Sequence, residues 1–148
     1  MSSYRERLWP SPWLFVATAL VIPASLLVFL PINLGVGIAT AVILYGGCVV
    51  LLLQAAPVIA VEDGRLRAGR AQVPVDLIGE AQGYRGEDAR QERGPRLDAR
   101  AWLLIRGWVD PVVRLRIDDP ADPVPYWLVS TRHPDELVRA LDAARRRS

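Results

Sequence analysis

Asp118, Asp119 and Asp122, in the run Asp-Asp-Pro-Ala-Asp-Pro, are the closest-set residues in this chain whose types could do chemistry. Three carboxylates could hold Mg²⁺ or Ca²⁺. No glycine supplies the sharp loop such ligands need, and Asp-Pro pairs commonly start turns, so the run reads as structural. His133 precedes Pro134 and falls at a helix N-cap, where the nearby hydroxyls of Ser130 and Thr131 read as caps. With one histidine and no glycine elbow, a nucleophilic triad is not expected. The stretch from Arg65 to Arg70 contains Gly69 but lacks the spacing and the lysine of a phosphate loop. Cys48 is the single cysteine, which rules out an intramolecular disulfide and, with one histidine, a Cys/His zinc set. A carboxylate-only site for a harder cation is not excluded by that count. The expectation is a protein with no catalytic residue, no metal and no cofactor.

Composition points the same way. All 18 basic residues are arginine, and against 16 acidic ones they leave a net charge of +2. A nucleic-acid binder would carry a larger and more clustered excess, so nucleic acid is not an expected partner.

The elements that must position these residues begin with an uncharged stretch. From Leu8 to Val61, 54 consecutive positions carry no charge. A bilayer core is about 30 Å thick and takes about 20 apolar residues to cross, so the stretch holds two crossings. The first reads Trp13 to Leu30, kinked at Pro23; the second reads Leu34 to Leu53, with the uncharged run continuing through Pro57. Only Pro31-Ile32-Asn33 separates them, which makes the pair a tight helical hairpin. Arg5 and Arg7 precede it and Arg65, Arg67 and Arg70 follow it, so the positive-inside rule puts both termini in the cytoplasm. Trp9 and Trp13 suit the headgroup level. A cleaved signal peptide is the rival reading, but its apolar centre would be too long and a second span follows at once. The absence of charge within the spans argues against an ion or proton path. Gly35, Gly37, Ala39 and Ala41 give two overlapping small-xxx-small spacings, which serve either packing within the hairpin or a homodimer.

After Val61 the pattern alternates. Val58–Glu62 and Arg65–Ala68 flank Asp63-Gly64, a two-residue hairpin signal. Short strands are expected at Val73, Leu77–Tyr84, Ala101–Arg106, Val112–Asp118 and Tyr126–Thr131. A helix opens at Pro134, with acids at its start, Arg145–Arg147 at its end and a Leu137/Val138/Leu141/Ala144 stripe. Seven strands and a terminal helix are the order of a pleckstrin-homology-like (PH-like) barrel, although an unrelated small barrel would read similarly. From Arg85 to Arg100, nine of 16 residues are charged, and this segment reads as a mobile, solvated loop with one helical turn around Glu87–Arg93. The division is therefore an N-terminal cytoplasmic segment (1–12), a two-helix transmembrane hairpin (13–57) and a small α+β PH-like barrel with a C-terminal helix (58–148). Arg65, Arg67 and Arg70 either contact anionic lipid headgroups or only fix topology. Trp108, Tyr126 and Trp127 are candidate partner contacts, since Tyr126 and Trp127 fall on opposite strand faces and one should stand partly exposed.

The segments at 4–13 (Tyr-Arg-Glu-Arg-Leu-Trp-Pro-Ser-Pro-Trp), 61–69 (Val-Glu-Asp-Gly-Arg-Leu-Arg-Ala-Gly) and 119–137 resemble a family of small actinobacterial membrane proteins, domain of unknown function 3093. The resemblance implies an integral membrane protein of high-GC Gram-positive bacteria and brings no activity with it. The C-terminal part also looks like bacterial PH-type domains that follow paired spans. The expected role is a non-enzymatic anchor in the inner (plasma) membrane that displays a cytoplasmic domain for lipid or protein contact. The alternatives are a subunit self-associating through its helices and an accessory subunit of a membrane enzyme or transporter.

Overall fold

The computed structural model describes residues 2–147, which divide into two compact units. One is the inserted apolar segment Trp9–Ala56. The other joins the chain through Leu8 to everything from Pro57 onward.

The apolar unit holds α1 (Pro12–Thr18), α2 (Val21–Phe29) and α3 (Leu34–Gln54). The expected kink in the first span shows as a two-residue interruption across which the backbone keeps helical dihedrals. Pro23 has no N–H to offer the carbonyl four residues back, at Ala19, and the helix is interrupted at Ala19 and Leu20. Asn33 caps α3, its Oδ1 accepting from the N–H groups of Gly35 (2.8 Å) and Val36 (3.4 Å). Pro12–Phe29 and Leu34–Gln54 are each long and apolar enough to cross a membrane by length and composition. Gly37 and Ala41 are buried, and a Cβ on Gly37 would stand 3.2 Å from that of Phe29, so α2 and α3 approach closely there. Gly35 and Ala39 are exposed.

The second unit is two four-stranded sheets and two helices. β1 (Ser2–Arg7), β2 (Val58–Glu62), β3 (Arg65–Ala68) and β4 (Ala71–Pro74) pair antiparallel in sequence order. Asp63 and Gly64 turn β2 into β3 with φ of 52° and 70°, the positive values a two-residue hairpin demands. The second sheet runs β5 (Ile78–Tyr84), β7 (Val112–Ile117), β8 (Tyr126–Ser130), β6 (Trp102–Leu104). β7 alternates as its sequence requires, with Val113, Leu115 and Ile117 buried and Arg114 and Arg116 exposed. α4 (Gly86–Arg93) lies between β5 and β6, and α5 (Pro134–Arg147) closes the chain. Leu137, Leu141 and Ala144 of α5 enter one core with residues of both sheets, including Ile59, Leu66, Leu115 and Val129. Arg145 pins the last turn, its Nη1 donating to the carbonyls of Ile78 (3.2 Å) and Gly79 (2.6 Å).

Three expectations are corrected. The segment 1–12 is not a separate piece, because Ser2–Arg7 is the edge strand of the first sheet and raises the strand count to eight. β6 is shorter than expected and runs parallel to β8, beyond it from β7, so the second sheet is not a simple meander. The helical turn expected around Glu87–Arg93 in the charged run is present and longer, the eight-residue α4 (Gly86–Arg93), but the run is not simply solvated, because α4 buries Ala89 and Glu92.

β1 is fastened by its own inward side chains. Glu6 Oε1 accepts from the Arg132 backbone N–H (2.8 Å), and Oε2 accepts from the hydroxyls of Tyr4 (2.6 Å) and Thr131. Thr131 is fully buried, and its Oγ1 also accepts from the His133 N–H at 3.1 Å. Replacing the carboxylate removes the shared acceptor of the Arg132 N–H and of the Tyr4 and Thr131 hydroxyls, leaving the two hydroxyls, 3.1 Å apart, only each other and the His133 N–H. Glu6→Ala should therefore lower the unfolding free energy of the detergent-solubilised full chain by about 3 kcal/mol in thermal or denaturant unfolding. Burial, and then the bond to Glu6, pushes the Tyr4 phenol above its ordinary 10. The folded chain holds that proton where the unfolded chain releases it, so the stabilisation is complete below pH 10 and fades as pH rises beyond it. Tyr4→Phe should flatten that alkaline decline in a pH series of unfolding curves.

Candidate functional site

Strand pairing gathers the arginines that flank the apolar stretch. Arg5 pairs with Ala60, Ala60 with Arg67 and Arg67 with Gln72, in one row across the first sheet. Arg7 pairs with Val58 in the next row on the same face, and Arg65 with Glu62 in the row on the other side. The alternate rows, such as Tyr4-Val61-Leu66-Val73, turn inward to the core. Arg5, Arg7, Arg65 and Arg67 therefore share the outer face, and all four are exposed. Strands lie about 4.8 Å apart, so the Arg5 and Arg67 backbones stand about 10 Å apart across β2. Ala60 between them has no exposed surface.

Charge is graded along this face. The Gly69 N–H bonds the Val58 carbonyl (2.8 Å), bringing the turn that carries exposed Arg70 level with the Arg7 row. This is the end where the chain leaves the unit at Leu8 and returns at Pro57, joined by the Leu8 N–H to the Pro57 carbonyl at 2.9 Å. Acidic Glu62 and Asp63 sit at the opposite end, bordering a shallow depression of about 160 Å³ with Arg65, Arg67 and Gln72. Guanidinium groups stay charged at any working pH and offer fixed, planar donor sets. A row of them suits a surface of phosphates or carboxylates.

The remaining sequence candidates fall elsewhere. Trp9 and Trp13 belong to the apolar unit and are 48% and 71% exposed. Tyr126 and Trp127 are both 6% exposed, so neither is a surface anchor. Trp127 packs against Trp102 with ring centroids 4.4 Å apart and planes tilted by 39°, while the Tyr126 hydroxyl accepts from the Asp98 N–H (2.8 Å) beneath the segment that follows α4. Trp108 is half-buried, with its indole N–H spent on the Leu8 carbonyl (3.1 Å). Among the described residues of this unit, the exposed large apolar side chain is instead Leu103, on the edge strand β6. Asp119 and Asp122 accept from backbone N–H groups two residues on (both 2.9 Å), and Asp118 faces Arg116 at 3.0 Å, so all three serve turns and ion pairs. Among the described residues no three His, Cys, Asp or Glu side chains are grouped to hold a metal. His133 is exposed, and its carbonyl accepts the Leu137 N–H as α5 begins.

Two charged residues carry weight that the linear pattern does not signal. Glu6 is legible only as an inward position on a strand that itself looks polar. Glu92 shares the inner side of α4 with Ala89, three residues before it, and that spacing is its one local sign.

No curated protein and no solved structure matches the chain. The model of a family described as a protein of unknown function, DUF3093, matches residues 3–141. Nearly the whole length is matched, both sheets and the apolar segment included, and the chain belongs to the DUF3093 family.

Proposed function

We propose that this protein is a non-enzymatic integral membrane protein whose apolar unit crosses the bilayer twice, and whose arginine face lies against the anionic headgroups on the cytoplasmic side. The observation that carries this reading is the pairing of β1 with β2. Strands that bracket the apolar segment share one sheet, so both belong on the same side of any membrane that segment crosses, and the number of crossings is even. A cleaved signal peptide fits poorly, because cleavage would remove β1 and the Glu6 that holds Thr131. Apolar side chains such as Leu27 (73% exposed) and Ile43 (71% exposed) line the helices and call for a hydrocarbon surrounding. The arginines of the face run from the sheet end where the chain departs (Arg7, Arg70) through the middle row (Arg5, Arg67), and each can contribute about 1 kcal/mol toward an anionic surface. Arginines on both flanks of the hairpin favour the cytoplasmic side of an inner membrane. A four-stranded antiparallel sheet, the antiparallel set β5-β7-β8 and a closing helix support a PH-like domain, from which the parallel β6 departs.

A second reading, self-association through the helices, draws on Gly35 and Ala39, which stand exposed on α3.

The lipid reading is tested by releasing the full chain from nanodiscs of mixed phosphatidylglycerol and phosphatidylcholine and weighing the lipids it retains. Phosphatidylglycerol should be enriched, and Arg5→Gln and Arg67→Gln should each reduce that enrichment about fivefold. Equal retention of both lipids, or enrichment that the substitutions leave unchanged, would overturn it and leave the arginines as topology anchors.

A further inference from the structure

The outer face of the second sheet is closed by α4 and the chain that follows it. Val112, Tyr126 and Leu128 lie buried there in a small apolar cluster of their own, with Tyr84 and Leu97 packed at its border. The helix that covers them is poorly suited to stay down. Its buried residues are Ala89, a single methyl, and Glu92, which is 2% exposed where a leucine would be expected. Glu92 Oε2 is the buried side-chain atom without a hydrogen-bond partner among the described residues. Arg114 Nη1 stands 3.6 Å from it, and Arg96 Nη1 is 3.8 Å from Oε1; both distances exceed hydrogen-bond length. Both arginine side chains are about half exposed, and Arg114 is shared with the ring of Tyr126, 4.7 Å below its guanidinium carbon. A buried carboxylate compensated this loosely costs more than it returns.

The ends of the cover are built to turn. Gly86 has φ of +56°, and Gly94-Pro95 follows the last helical residue. The fastenings of α4 are few: the Gly86 N–H to Asp110 Oδ2 (3.0 Å), Arg93 to the Asp110 carbonyl, and Arg85 to Asp135 (3.3 Å); beyond the helix, the Asp98 N–H holds the cover to the Tyr126 hydroxyl (2.8 Å). The exposed Arg85–Asp135 pair adds little.

We propose that α4 and the chain through Ala101 form a hinged cover that opens locally over the Val112–Tyr126–Leu128 strip, with Glu92 as the built-in weak point that lets it open. Opening returns the Glu92 carboxylate to water, which offsets the exposure of a small apolar strip. It leaves the core beneath α5, on the other face of the sheet, intact. Such sub-global opening is read directly by amide exchange.

Hydrogen–deuterium exchange of the full chain in detergent micelles tests this. Amides of residues 87–93 should exchange at least about 100-fold faster than those of β7 and α5. Glu92→Leu should slow them about tenfold without changing β2 or β3, because an apolar residue removes the reward for opening. Protection of α4 equal to that of β7, or faster exchange in Glu92→Leu, would overturn the proposal. Should the leucine variant not fold, Asp110→Ala carries the test by removing the surface fastening. Faster exchange confined to 86–101 supports a hinged cover; an equal rise in β7 and α5 makes α4 an integral part of the domain and refutes it.

Discussion

The ladder between β1 and β2 is the constraint on which the rest of this molecule depends. Residues Ser2–Arg7 and Val58–Glu62 are held edge to edge although the whole apolar unit intervenes between them. Without β1, the outer edge of β2 would present a row of unpaired N–H and C=O groups, and Thr131 and Arg132 would lose the carboxylate they donate to. Closing so long an insertion costs little, since loop entropy grows only with the logarithm of length, about 0.6 kcal/mol per doubling. A helical hairpin lowers even that, because its two arms return the chain toward its start.

Two consequences follow from that ladder. The arginines on either side of the apolar stretch cease to be separate flanks and become one face, with Arg5 and Arg67 on either side of Ala60. The C-terminal helix is also linked to the N-terminal strand, because Thr131 and Arg132 lie immediately before α5 and bond Glu6. The two ends of the chain therefore stabilise each other. In the second sheet, by contrast, α4 rests on a surface it barely fills, with a carboxylate where an apolar anchor would sit. Closure is firm on one sheet, where half-buried Glu6 accepts three hydrogen bonds, and loose on the other, where buried Glu92 leaves an oxygen without one.

What could be read from the residues was local. The Asp63-Gly64 turn, the alternation in β7 and the striped α5 with acids at its start and arginines at its end are each set by residues within a few positions and appear where expected. The expected Ser130 cap does not, since its hydroxyl accepts from the Arg106 N–H (3.0 Å). β1 was not legible: Ser-Ser-Tyr-Arg-Glu-Arg carries one aromatic and an inward-facing charge, and its strand character comes from a partner some fifty residues away. α4 misled for a related reason, since its charges suggest solvent while the burial of Glu92 is decided by its place over β7. That same cover buries Tyr126, which alternation alone would leave outside. The arginines of the candidate face could each be named from the flanks of the apolar run, but their convergence required β1.

The central claim is that β1 and β2 are neighbours across the apolar insertion, and an engineered cross-link measures this most directly. In a Cys48→Ser background, the pair Arg7→Cys and Val58→Cys occupies facing positions of the ladder. Mild oxidation of the full chain in membranes should join the two within one chain, detected as a linked peptide by mass spectrometry. Failure of the intrachain link to form, or linkage only between separate chains, would contradict the account.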